Sequence, residues 1–350
     1  KPLFMLITFL DNSHIIYDGS TINNKPLDGA EKSLIYLSEA LANIGHVVRV
    51  YNNCYESIVI NDVSWQKINK IDATHSDVWI AHNDPKLFDL VNSNSKKILW
   101  LTSSGLKLAR PENFTVVMKH KPTIIIQGEN HINSIPDGLK SLDASIIPSG
   151  NNPHFIENES LLPSITPKAL VTTHPLMGLD WIINLWVQHI HTKLPWAELH
   201  IYSYTLHKAM SGKKIPDIYD SILKLVETNL AYNIKIKSPK IDIEMVKEIK
   251  DMRVHLYPSH KYEVSAFSLS ETQVLGMPAV IRPLGAAIEK IYNGKTGFIA
   301  NDESQFVEYS TRILNDLSFF NRMHEESKVI NKLRSWNKVA EEFLQVFKSR

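Results

Sequence analysis

Short apolar runs of strand length alternate along this chain with longer stretches in which apolar residues recur every three or four positions. That alternation constrains the fold more than any single motif, because it is the pattern of an α/β protein built on parallel sheets. The apolar run at residues 3–10 is too short for a membrane span. It has no cleavage site of a signal peptide behind it, and reads as a first buried strand. After a polar stretch, Ala30, Leu34, Leu37, Leu41 and Ile44 fall on one face of a helix that starts near Asp28-Gly29. Gly45 stands where a helix ends, and residues 47–51 form the next strand. Strand, loop, helix, strand is one βαβ unit.

The same rhythm continues. Strands are expected at residues 77–81, 97–101, 123–127 and 144–147, with a helix at 86–91 just after His82-Asn83-Asp84. Pro148-Ser149-Gly150-Asn151-Asn152-Pro153 is the strongest breaker cluster, and a polar, proline-bearing segment follows it. The domain boundary is placed here, giving an N-terminal domain over residues 1–155 and a C-terminal one over 156–335. The second half restarts with a strand at 169–173. A helix after Gly178 carries Leu179, Ile182, Ile183, Trp186, Val187 and Ile190 on one face, a stripe that reads as core. A strand at 198–203, helices at 218–230 and 243–249 and a strand at 254–257 complete the pattern, before a helical tail from Glu303.

Composition narrows the function. A chain of 350 residues is long enough for two domains with their own cores. A formal net charge of +1 provides no overall pull toward nucleic acid. Lys107, Arg110, Lys119 and Lys121 lie near one another in sequence and read as scattered surface lysines and arginine. The single cysteine, Cys54, excludes an internal disulfide and a cysteine-cluster metal site, and fits a reducing compartment. With no run of 18 apolar residues, a cytoplasmic protein is expected, soluble or in peripheral contact with a membrane.

Several chemistries lack their motif. There is no G-x-G-x-x-G after the first strand, no P-loop and no G-x-S-x-G elbow. His189 and His191 are two apart on a helix and point to different faces, so no metal is expected. What stands out is residues 261–300. Glu263 and Glu271 are separated by seven residues, Gly276 and Pro278 lead into an apolar run, and Gly285, Asn293-Gly294 and Gly297 punctuate the rest. Ligands of parallel sheets bind at the carboxyl ends of the strands. Helix N-termini suit phosphate, and carboxylates accept hydrogen bonds from paired hydroxyls. Two carboxylates able to hold hydroxyl-rich groups on either side of a diphosphate describe a nucleotide-sugar site.

Here the residues resemble a known family, the retaining glycosyltransferases of the GT-B, family 4-like group. Glu263 and Glu271 are similar to its E-x7-E element. Residues 275–280 resemble its G-x-P-V-V segment, and residues 285–297 its G-G-x-x-E…G-x-x-G run. Gly29-Ala30, Leu41, Gly45-His46, Val48 and Val50 resemble its acceptor-domain opening. Asp77-Val78, Ala81-His82 and residues 147–151 match two further signatures. The elements occur in the family's order over nearly the whole chain.

The resemblance implies an α/β, GT-B fold: two Rossmann-like domains with parallel sheets facing across a cleft, and a C-terminal helix at 336–350 packing back on the first. It implies transfer of a hexosyl unit, with retention, from a UDP- or GDP-linked sugar to a glycan or lipid-linked acceptor, with no cofactor and no metal. Glu271 would hold the donor's ribose and Glu263 the transferred sugar, with the backbone of Ser265, Ala266 and Phe267 beside it. Gly29 and Ala30 would approach the diphosphate, and His82 would face the reacting sugar, the alternative for His82 being a structural strand-end histidine. Glu31 reads as a helix N-terminal carboxylate, and Glu289 as either a ligand-loop residue or a helix start.

Two departures from the family stand out. The family often carries an arginine and a lysine in the loop equivalent to residues 172–177, where this chain has Thr-Thr-His-Pro-Leu-Met. Lys261 counts with the donor-binding residues as a substitute cation, alongside Lys208 and Arg282. The glycines expected after the first glutamate are replaced by Val264 and Ala266. Two other readings stay open: a nucleotide-sugar epimerase of the same architecture, which needs no acceptor, and a non-catalytic homologue that binds glycan or acts as a scaffold.

Overall fold

A computed structural model describes residues 4–71, 75–157, 161–330 and 334–348. The chain divides into two compact units, Lys1–Gly150 with Arg334–Arg350, and Asn151–Leu333. The first crossing falls after Gly150, ahead of the residue 155 expected from the breaker cluster. Asn152 is the reason: its side chain caps the short helix Pro153–Ile156 and donates to Asp242 Oδ2 at 2.7 Å, in the second unit.

In the first unit the strands are β1 (Leu6–Leu10), β2 (Val47–Asn52), β3 (Ile58–Ile60), β4 (Val63–Lys67), β5 (Val78–His82), β6 (Lys96–Trp100), β7 (Thr123–Ile126) and β8 (Ala144–Ile146). They form one sheet in the order β3-β4-β2-β1-β5-β6-β7-β8, parallel throughout except for the β3–β4 hairpin. Central strands such as β5 are buried along their whole length, as a sheet covered on both faces requires. One covering layer is the helix Gly29–Asn43, against which the helix Trp336–Lys348 packs. Trp336 stacks near Tyr36, and Phe343 meets the Trp100 ring edge-on at 5.5 Å. Arg334 anchors the return of the chain through its bonds to Pro148 O and the Glu342 carboxylate. Leu3 and residues 349–350, parts of the expected first strand and last helix, lie outside the described residues.

The second unit holds β9 (Lys168–Val171), β10 (Glu198–Tyr202), β11 (Ile234–Lys237), β12 (Val254–Tyr257), β13 (Ala279–Ile281) and β14 (Gly297–Ile299). All pairs are parallel, in the order β11-β10-β9-β12-β13-β14. Its core runs from Leu170 and Ile201 on the strands to Trp186, Phe306 and Phe320 on the helices. The helix after Gly178 is α-helical over Leu179–Leu185, widens into a π turn at Trp186–Ile190 and ends at His191–Lys193.

Three local readings change. The segment expected to be a helix at 86–91 is a 3₁₀ stretch, Pro85–Leu90, because Pro85 opens it and Asp84 caps it tightly. The β3–β4 hairpin and β11 were not anticipated. In the hairpin Asn61 and Asp62 both adopt left-handed backbone, the requirement of a two-residue turn.

Both sheets reverse their winding once. The first does so between β1 and β5, the second between β9 and β12. The loops leaving adjacent strands part in opposite directions there, which opens a crevice at the carboxyl ends.

Candidate functional site

At the switch point of the second unit, β12 delivers Tyr257 and then the loop carrying Glu263. Ser259 and Ala266 adopt left-handed backbone, and Ala266 ends the loop by starting the helix Phe267–Val274. The loop is braced from the 3₁₀ turn Gly285–Glu289 that follows β13, where Ala286 N–H donates to Glu263 O at 3.0 Å. Gly285 makes this approach possible: at φ +56, an added Cβ would lie 2.2 Å from His260 O. Val264, Ser265 and Ala266 are buried, so their side chains fill the loop's interior.

The Tyr257 hydroxyl donates to Glu263 Oε1. Oε2 is buried and has no partner among the described residues. Burial pushes the Glu263 carboxyl up to about 7, against the downward pull of the Tyr257 bond and the Lys290 charge. Burial, then the Glu263 charge, raises the Tyr257 phenol well above its ordinary value, so it remains a donor. Behind Tyr257 lies a buried polar chain. Thr172 Oγ1 donates to Ser268 Oγ at 2.8 Å, and His255 Nε2 is 2.9 Å from Thr172 Oγ1. His255 Nδ1 lies 2.8 Å from Thr272 Oγ1. The imidazole is fully enclosed, and burial lowers it to about 3, which keeps it neutral.

Glu271 sits on the helix that follows, half-buried, and its Oε1 accepts from the Asn152 amide at 2.8 Å. The same amide group reaches Asp242, so one asparagine fixes two carboxylates. Each proposed substitute cation has its own setting. Lys261 is exposed, with its ammonium 4.6 Å from the centre of the Tyr262 ring. Arg282 lies over the Trp181 ring and donates to Pro258 O and Ser259 O, bridging the end of β12. Lys208 lies on the helix Tyr204–Met210 after β10. In the loop after β9, Thr173 Oγ1 is buried without a partner among the described residues, as is Ser259 Oγ on the neighbouring loop.

In the first unit, Gly29 and Ala30 open the helix Gly29–Asn43, behind the extended Asp28. Glu31 in its first turn is buried rather than solvated. Its Oε1 accepts from Ser13 Oγ at 2.8 Å, Oε2 has no partner among the described residues, and burial raises its pKa. Ser13 N–H lies on Asp11 Oδ2, which also accepts from the Tyr17 hydroxyl. Asp11 Oδ1 is 3.1 Å from His82 Nδ1 at the end of β5, and His82 Nε2 is 2.8 Å from Thr102 Oγ1. The histidine is 2% exposed, so both ring nitrogens are spent within the protein.

Glu263, Ser265, Ala266, Phe267 and Glu271 thus share one loop and helix of the second unit, while Gly29, Ala30 and His82 share the carboxyl edge of the first. Sequence reasoning missed Asn152, Asp11, Tyr257 and the chain from Ser268 to Thr272. One signal was available: His255 and Tyr257 are two apart on a strand, hence on the same face, and both carry a polar tip on an otherwise apolar run. Among the described residues no group of three or more His, Cys, Asp or Glu is arranged to hold a metal ion. No helix among them is long and apolar enough to cross a membrane.

No sequence-family profile matches the chain, and no curated protein matches it. Solved structures do. A sucrose-phosphate synthase from Thermosynechococcus elongatus is 14% identical with a TM-score of 0.74, covering 98% of this chain and 98% of its own. WaaG, a glycosyltransferase involved in lipopolysaccharide biosynthesis, is 11% identical with a TM-score of 0.68, over 99% and 100%. HepE of Anabaena, solved in complex with UDP and glucose, is 13% identical with a TM-score of 0.66, over 99% and 100%. At such identities the likeness is one of fold, and the fold is that of the GT-B glycosyltransferases.

Proposed function

We propose that this protein is a retaining glycosyltransferase of the family 4-like group. It moves a hexosyl unit from a UDP- or GDP-linked sugar to a glycan or lipid-linked acceptor. The observation that carries the reading is Glu263: a buried carboxyl at the switch point of a parallel sheet, with one oxygen held by Tyr257 and the other left without a protein partner. A buried acceptor atom left unpaired is costly unless a ligand group completes it. A sugar hydroxyl does so. Glu271, set by Asn152 on the next helix, takes the ribose, and the backbone of Ser265, Ala266 and Phe267 borders the sugar and phosphate. Lys261 and Arg282 contribute positive charge on the side of the diphosphate.

In this reading the anomeric C–O bond to the diphosphate breaks as the acceptor oxygen bonds to the same face of the sugar, and the acceptor's proton leaves with the diphosphate. Catalysis rests on positioning and on the field of fixed dipoles, with no step assigned to a metal or cofactor. The reading is consistent with a cytoplasmic enzyme working on a soluble acceptor or at a membrane surface.

One observation favours a second reading, a non-catalytic homologue that binds glycan or acts as a scaffold: the loop at residues 172–177 carries no fixed cation, and Thr172 is engaged inside the protein. Calorimetric titration with UDP-glucose and GDP-mannose separates the cases. Binding followed by transfer or slow donor hydrolysis supports the enzyme, and binding without turnover the homologue. An isomerised free donor would point to an epimerase. Failure to bind any nucleotide sugar would sink the donor-site assignment. Glu271→Ala is expected to weaken nucleotide binding by about 10-fold or more, the loss of charge-assisted bonds to two hydroxyls.

A further inference from the structure

Two carboxylates lie buried at the carboxyl edge of the first sheet, and only one of them is complete. Asp11, just past β1, has both oxygens engaged. Its Oδ1 lies 3.1 Å from His82 Nδ1, and its Oδ2 accepts from the Tyr17 hydroxyl at 2.8 Å and from Ser13 N–H at 3.3 Å. Glu31 has one oxygen engaged. Its Oε1 accepts from Ser13 Oγ at 2.8 Å, while Oε2 is enclosed without a partner among the described residues. The residue is 7% exposed, so water at the surface does not complete it. An unpaired acceptor costs more on a buried charged group than on a neutral one.

Its position is one where ligands bind. β1 and β5 flank the point at which the first sheet reverses its winding, and Asp11 and His82 stand at their carboxyl ends. Ser13 ties the Glu31 carboxyl to the loop leaving β1, on the same edge. An acid that merely complements a helix dipole acts from the surface of the first turn and has no need of burial.

The surroundings set the sign of the ligand. After burial, the charges that raise the Glu31 pKa are those of Asp28 and Asp11. The one base beside them, His82, is committed to Asp11 and Thr102. Among the described residues no lysine or arginine pairs with Asp11, Asp28 or Glu31. The acids are not arranged to ligate a metal ion either. What complements the cluster is an organic cation that meets Oε2 through an N–H.

We propose that Glu31 is a binding residue of the first unit for an ammonium group, which makes the acceptor an amino sugar rather than a neutral one. The ammonium donates to Oε2 and brings the positive charge that the cluster lacks. A hydroxyl would supply the bond without the charge. The proposal rests on the glycosyltransferase reading for the ligand's role as acceptor, but not for the site itself.

The test titrates the full chain near neutral pH with glucosamine, galactosamine and mannosamine, each against its neutral parent sugar, by calorimetry and ligand-observed NMR. At least one amino sugar is expected to bind about tenfold more tightly than its parent, the effect of a charge-assisted bond. Glu31→Gln keeps the shape and removes the charge, and the preference is expected to vanish. Asp28→Asn, at an exposed residue whose side chain makes no cap bond, is expected to reduce the preference less, and it keeps the test alive if Glu31→Gln does not fold. Amino sugars bound no more tightly than their parents would overturn the proposal, as would a preference that survives Glu31→Gln. So would a Glu31→Gln protein that melts later with sugar binding unchanged, which would mark a buried acid of structural role alone. UDP-glucose and GDP-mannose are titrated alongside. Donor binding without an amine preference removes this proposal and leaves the functional reading; an amine preference without binding of either donor leaves the site and removes that reading.

Discussion

Glu263 ties the stability of the protein to pH as well as its chemistry. Its folded pKa, raised by burial to about 7 from an ordinary 4.5, means that the folded state holds the proton more tightly than the unfolded chain. Below pH 4.5 both states are protonated and the group contributes no penalty. As pH rises through 4.5 and on to about 7, the unfolded chain ionises first, and the folded state loses stability, by on the order of 3 kcal/mol by pH 8. Glu263→Gln removes that loss. Its denaturant midpoint is expected to match the wild type near pH 5 and exceed it at pH 8, while nucleotide-sugar affinity falls at both. Equal midpoints at pH 8 would mean that the carboxyl is ionised at little cost. The glutamate itself was legible in the sequence, because seven residues between two acids is a spacing that survives in the one-dimensional pattern. Its partners were not. Tyr257 and His255 sit in a run that reads as an ordinary strand, and Thr172 and Ser268 are single hydroxyls whose meeting depends on how β9 and β12 lie side by side.

Among the elements, Gly285 shows how much the site depends on one loop resting on another. Gly285→Ala places a methyl against the His260 carbonyl and forces a left-handed backbone on a side-chain-bearing residue. A cost of about 1–3 kcal/mol is expected, together with a shift of the Glu263 loop that weakens donor binding. Thermal melting and calorimetry on the same variant check both; a variant with wild-type stability would show that the loop yields without strain. The strands that lie in the middle of each sheet were readable, since burial on both faces makes them uninterrupted apolar runs. The strands that escaped are at the edges, and the helices Pro111–His120 and Tyr204–Met210 escaped as well. β3 is mostly exposed and turns on Asn61-Asp62 without a glycine. β11 is a four-residue edge strand with lysines on alternate positions. The π turn at Trp186–Ile190 leaves the apolar stripe of its helix intact, so periodicity did not reveal it.

Over the whole molecule, the helix Trp336–Lys348 belongs to the core of the first unit although 183 residues of the second, Asn151–Leu333, separate it from the rest in sequence. Phe343→Ala, which empties a fully buried site against Trp100, is expected to cost about 3–5 kcal/mol and to lower the first unit's denaturant midpoint while leaving the second unit's unchanged. A single joint shift of both transitions would show that the units unfold together. The same helix sets an order of events during synthesis. The second unit is contiguous and has its whole sequence once residue 333 is made. The first unit starts earlier yet keeps one face of its helix Gly29–Asn43 uncovered until residues 336–348 leave the ribosome. At about 5–20 residues per second that interval is roughly 10–40 s. Nascent chains arrested before residue 334 is exposed are expected to show a protease-resistant second unit beside a still-cleavable first one, so that the half of the protein born first is the last to close.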